Sequence, residues 1–265
     1  MRIAWFLAAA ALGAAPAAGQ APAAGQAPAA GQAPAAGKAP AGSPAAQTQE
    51  ISAEALALAR LVQPADASMD AALAASREAF FAILKEDPDS KALESEYPGI
   101  YQDVWKAMEP VILKSVDDDM PKLWNRLARL YTERLTPAEI AGLRRFYATP
   151  TGQRMVRTMD EEADLAPMVE AITKSPDAPI TTEVMRKSLA PARAAVVRQI
   201  TPQDQAALTG LQKSISLPKL YALGAQVQRV TLEWMNEPDP VFDARLDTLI
   251  GKRMERFMAE ADAKK

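Results

Sequence analysis

Any chemistry in this chain has to come from carboxylates, hydroxyls, amides and arginines, because its 265 residues include no histidine and no cysteine. Ser–His and Cys–His nucleophilic pairs, ordinary zinc sites and imidazole acid–base catalysis are thereby excluded. Asp117-Asp118-Asp119 is the densest carboxylate cluster. It offers the oxygen ligands that calcium or magnesium prefers, but without the alternating spacing, Gly and closing Glu of an EF-hand loop. The simpler reading makes it the acidic start of a helix beginning near Pro121, where the macrodipole favours anions. Asp160-Glu161-Glu162 reads likewise as a solvated helix face. Glu94-Ser95 resembles the Glu-Ser context of all-helical cell-wall lytic enzymes, in which a carboxylic acid in an apolar cleft serves as general acid. The Gly-Leu-Met-Gln segment expected downstream is missing, and Tyr97-Pro98 follows instead. No residue is therefore assigned as catalytic, metal-binding or cofactor-binding, and no cofactor is expected.

The most informative stretch is Leu135-Thr-Pro-Ala-Glu-Ile-Ala-Gly-Leu-Arg-Arg-Phe-Tyr-Ala-Thr-Pro-Thr-Gly-Gln-Arg-Met155. It reads as two helix starts in tandem. Thr136 is a good N-cap, Pro137 suits the first helical position and Glu139 closes a capping box. Thr149 and Pro150 repeat the cap-plus-proline device, and Gly152 keeps the second start slim. Phe146, Tyr147, Thr149, Pro150, Gly152 and Gln153 are accordingly the candidate site, with two readings. They could line a ligand groove, with the Tyr147 hydroxyl and Gln153 amide as polar handles. Equally, each has a role in a helix–helix corner: Phe146 anchoring the core, Thr149 capping, Pro150 starting a helix and Gly152 permitting close approach. The corner reading is favoured. The adjacent Arg144-Arg145 point in different directions on a helix and make a weak anion site.

The pattern T-P-x-E-I-x-x-L-x-x-F-Y-x-[ST]-P-x-G-Q, read over Thr136–Gln153, resembles domain-of-unknown-function family 2059. The resemblance is taken to cover about Ile51 to Met159, its specific part lying in Leu135–Met155. It implies an exported, all-helical protein of Gram-negative bacteria, without an established chemistry.

The elements that must position these residues are helices. Met69, Leu73, Arg77, Phe80, Phe81 and Leu84 share one helical face. Tyr101 to Val116 and Leu123 to Leu135 show the same three-and-four spacing, and no alternating run of strand type appears. The fold class predicted is all-α, a bundle of about eight to ten helices. Pro64, Glu86–Ser90, Tyr97–Gly99, Asp117–Asp119 and Ser175–Pro179 are the expected breaks, and Pro110, Pro167 and Pro191 are expected to kink or divide helices.

The second half repeats the first in outline. Thr201-Pro202-x-Asp204-x-Ala206-x-Leu208-x-x-Leu211 aligns with Thr136-Pro137-x-Glu139-x-Ala141-x-Leu143-x-x-Phe146 at an offset of 65 residues. Arg154-Met155 then match Lys219-Leu220, but the Phe-Tyr pair and the Pro-x-Gly-Gln segment have no counterpart. Two related helical halves, 50–175 and 176–265, are one outcome of this alignment, and chance likeness of capped helices is the other.

Residues 1–20 read as a signal peptide, with Arg2 followed by the short apolar run Ile3–Leu12 and then small residues without a lipid-accepting Cys. Residues 21–49 continue a Pro-Ala-Ala-Gly-Gln-Ala repeat that cannot bury a core and reads as a disordered tether. A net charge of −3 without a basic stripe gives no nucleic-acid footprint, and no further run is long enough to span a membrane. The expectation is a periplasmic or secreted protein, most simply a non-catalytic module that binds an unknown protein or envelope ligand. A carboxylate-dependent cell-wall hydrolase and a chaperone-like envelope protein with adaptable Met- and Ala-rich surface are the alternatives.

Overall fold

Capping side chains and prolines divide the folded chain. The computed structural model describes residues 50–175 and 178–264. The expected signal segment and tether lie outside these residues. Among the described residues there are eleven α-helices and no strand: α1 (Ala53–Val62), α2 (Ala65–Glu86), α3 (Pro88–Glu96), α4 (Ile100–Arg134), α5 (Pro137–Tyr147), α6 (Pro150–Glu161), α7 (Ala166–Lys174), α8 (Thr182–Arg198), α9 (Pro202–Ser214), α10 (Leu217–Met235) and α11 (Pro240–Asp262). The all-α bundle read from periodicity is thus the fold. None of these helices is long and apolar enough to cross a membrane.

The starts follow the sequence closely. Ser52, Asp87, Thr136, Thr149, Thr181 and Asp239 each accept a hydrogen bond from a backbone N–H in the first turn of the helix they precede. Gly99 takes φ +91°, the left-handed conformation that lets the chain turn into α4, and the Glu94 carboxylate accepts the Gly99 N–H at 2.7 Å.

Three expectations need correction. Asp117–Asp119 do not lie at a break and Pro121 starts no helix, because α4 runs through both as one helix of 35 residues. Pro121 is exposed, while Val116, Met120, Leu123 and Leu127 are buried, so burial of one face outweighs the backbone bond that proline removes. Pro110 and Pro191 do not divide α4 and α8, which run through them, whereas Pro167 stands in the first turn of α7 just after the break at 162–165, where a missing N–H costs little. Asp160 does not share the solvated face of Glu161 and Glu162, as described below.

The main core gathers around α4, α5, α6, α8 and α10, with α1 laid against α4 and α5. Ala55, Leu58, Ala59 and Val62 of α1 are all fully buried, so this short helix works as a core wedge rather than a surface element. A second apolar cluster joins α2 to the first half of α4 through Phe80, Phe81, Tyr101 and Trp105, whose ring centroids lie 5.2 to 6.4 Å apart. The half-buried stripe of α11, from Phe242 to Phe257, covers this cluster. The Arg253 guanidinium grips both carboxylate oxygens of Asp103 on α4.

Candidate functional site

The signature stretch forms the end of α5, a tight corner and the start of α6. At the head of α5, Thr136 and Glu139 make a reciprocal capping box, with the Thr136 N–H donating to Glu139 Oε2 at 2.7 Å and the Glu139 N–H to Thr136 Oγ1 at 3.3 Å. At the corner, the Thr149 hydroxyl donates to the Phe146 carbonyl at 2.6 Å and accepts the Gly152 N–H at 3.1 Å. One side chain thus closes α5 and opens α6. Gly152 has no room for anything larger, since a Cβ there would lie 2.6 Å from Tyr147 Cα.

The candidate residues separate into roles along this path. Phe146 and Tyr147 are buried and meet edge to face with centroids 5.1 Å apart. Burial pushes the Tyr147 hydroxyl above its ordinary titration range, and does the same to Tyr131 beside it, whose hydroxyl has no hydrogen-bond partner. Thr149 is half-buried as the cap, Pro150 is exposed at the first helical position, and Gln153 is exposed. Tyr147 and Gln153 therefore do not converge on a common space. A void beside the corner, lined in part by Thr151, Arg154, Met155 and Asp204, measures about 10 Å³, room for no more than one water.

Asp204 is the polar hub beside the corner. Its carboxylate accepts from the Thr201 N–H at 2.8 Å, the Thr201 hydroxyl at 2.7 Å, the Thr151 hydroxyl at 2.8 Å and the Arg154 guanidinium. The Thr201 bonds first, with the others behind them, hold it well below the usual carboxylate range. Asp160, further along α6, is the opposite case. Both its oxygens are shielded from solvent with no donor in reach, and desolvation, with Glu161 adding to it, pushes it up to about 7.

The other sequence candidates are accounted for by local pairing. Asp118 pairs with Lys114 and Asp119 with Lys122, so the three carboxylates of that run fan out along one helix. Arg144 pairs with Glu54 of α1, while Arg145 is exposed. Glu94 spends both oxygens on the backbone N–H groups of Gly99 and Tyr101, at 2.7 and 3.4 Å.

The feature that sequence reasoning missed is a groove between α2 and α7. It encloses about 890 Å³, with Ala74, Phe81, Ala82, Ala166 and Val169 as its apolar lining. Arg77, Glu78, Lys85, Glu86, Glu170 and Lys174 line it as well, three cations and three anions. A smaller pocket of about 350 Å³, lined by Leu84, Lys91, Glu94 and Tyr101, adjoins it at Phe81 and Lys85, which line both. The α2 stripe that includes Phe81 and Leu84 is legible in the sequence as one helical face, but not as a face that lines a groove. Part of it is wall of an open site.

Fold and corner together define an all-helical protein whose diagnostic element is a doubled, side-chain-capped helix start. Residues 121–169 match the model of a family described as an uncharacterized protein conserved in bacteria (DUF2059), so the resemblance read from Thr136–Gln153 is found there. The match runs from the last turns of α4 into α7 and does not reach back toward Ile51. No curated protein and no solved structure matches the chain.

Proposed function

We propose that this protein is an exported, non-catalytic binding module of the bacterial envelope, and that its ligand site is the α2–α7 groove rather than the signature corner. The observation that carries the reading is the contrast in space: about 890 Å³ in the groove against about 10 Å³ in the void beside the corner, which is lined by Thr151, Arg154 and Asp204 and by none of the six signature residues. A volume of several hundred Å³ with an apolar floor and a few polar groups suits a ligand site. Balanced charge along the groove favours a partner whose apolar stripe is flanked by both signs, as on an amphipathic helix, over a simple anion. Among the described residues four large apolar side chains, Ile83, Val197, Tyr221 and Val241, are exposed, but they sit on four different helices. Such scattering supports a defined groove over the broad sticky surface of a chaperone-like protein. Export rests on Arg2, the Ile3–Leu12 run and the small residues after it. Intact-mass measurement of protein recovered from the envelope should give an N-terminus within Pro16–Pro22.

The groove is tested with Ala82→Arg, which places a charge on its floor, and N-phenylnaphthylamine, a neutral dye that brightens in apolar sites. Wild-type protein and Gln153→Ala should bind the dye equally. Ala82→Arg should lose it while melting at the wild-type temperature. Equal binding by all three would remove the groove as the site.

A further inference from the structure

The two halves of the chain correspond in helix order as well as in sequence. The end of α4, then α5 and α6, match α8, α9 and α10, and the capping boxes of Thr136/Glu139 and Thr201/Asp204 stand 65 residues apart. Burial follows the same offset. Met120 and Met185 are each 1% exposed, Leu127 and Ala192 are fully buried, and Tyr131/Val196, Leu143/Leu208 and Phe146/Leu211 are buried pairs too. A chance likeness of caps would not carry the inward face across the connection from one helix to the next. The match lapses at Ile140/Gln205, Tyr147/Gln212 and Val156/Tyr221, whose second members are exposed.

Pairing between the halves is reciprocal. The Lys219 ammonium donates to both oxygens of Glu139 at 2.7 and 2.6 Å, and the Arg154 guanidinium donates to Asp204. Glu139 and Asp204 are equivalent positions, and so are Arg154 and Lys219. Exchanging the two copies therefore turns one ion pair into the other. The helices obey the same rule: α5 packs against α9, α6 packs on α8, and α10 packs on α4. Each copy lends its third helix to the first helix of the other. Self-complementary contact of this kind, in which residue i meets j′ and j meets i′, is the mark of a two-fold pair. Close approach of α5 to the end of α9 uses Gly142, against which Ser214 is packed so tightly that a Cβ would collide with it.

We infer that α4–α6 and α8–α10 are two copies of one helical unit, intertwined about a pseudo-two-fold axis. The signature-bearing face is on this account a self-recognition surface whose partner is a second copy of the same unit, supplied here within the chain. The inference is independent of the groove reading.

Two experiments on the full chain test it. In the first, residues 202–221 are replaced by the sequence of residues 137–156, which puts Glu at 204 and Arg at 219; a control insert, residues 138–157, is slipped by one residue. A one-residue slip turns every helix face by about 100°. The in-register chimera should melt cooperatively, as a monomer, at least about 10 °C above the slipped one. Equal melting of the two, or loss of structure in both, overturns the equivalence of the copies. In the second, Arg154→Glu and Lys219→Glu each place like charges in one of the two pairs, with exposed Arg157→Glu and Arg229→Glu as controls. Each pair reversal should lower Tm by about 2–6 °C, and the controls should not. A silent reversal at either pair overturns the reciprocal clamp.

Discussion

Asp160 gives the sharpest prediction, because its carboxylate is buried without a donor and pushed up to about 7. In the unfolded chain the same group titrates near 4. The folded state therefore binds this proton more readily than the unfolded state, so the charge costs stability at high pH and the cost fades as pH falls from about 7 toward 4. The difference between the two values corresponds to a ceiling of about 4 kcal/mol at pH 8. Asp160→Asn removes the charge at every pH but leaves a polar group shielded from solvent, so the net gain should be smaller, about 2 kcal/mol at pH 8. For a protein of this size that is about 4–8 °C in Tm. Thermal melts of both proteins at pH 8 and pH 5, followed by circular dichroism at the helix band, give the comparison. The variant should melt higher at pH 8, and the gap should narrow by pH 5. A gap of the same size at both values, or a variant less stable at pH 8, would refute the assignment of a buried, unpaired carboxylate.

If the signature corner is architecture, Phe146→Ala should cost about 3–5 kcal/mol and Thr149→Ala about 1 kcal/mol in denaturant melts. Gly152→Ala should cost about 1–3 kcal/mol, since its Cβ would press on the Phe146 and Tyr147 backbone. Asp204, held below the usual range, contributes stability that is present above about pH 4 and lost as pH falls further; Asp204→Asn should therefore melt below wild type at neutral pH and approach it in acid.

What could be read from the sequence was local, and what escaped it was tertiary. Thr136, Thr149 and Thr201 announce helix starts because a cap and its partner lie within one turn, and the structure has all three. Asp117–Pro121 imitates such a start, yet the buried face of α4 carries the helix through, a decision made by contacts far along the chain. Asp160 stands in an acidic run beside two exposed glutamates, and nothing in that run marks the one carboxylate that packing shields. The groove is invisible in sequence for the same reason: Ala74, Phe81 and Ala82 meet Ala166 and Val169 only after α2 and α7 pack together. The corner residues, by contrast, could be assigned roles one by one, since each acts on its own backbone neighbours.

The central claim is that ligand contact occurs at the groove and not at the signature corner. Site-directed photo-cross-linking in living cells tests it most directly, with a photoreactive residue at exposed Ala74 on the groove or at exposed Gln153 on the corner. The account predicts a discrete cross-linked species from position 74, lost when Ala82→Arg is added, and none from position 153. A cross-link from 153 with none from 74 would contradict it and place the ligand at the corner.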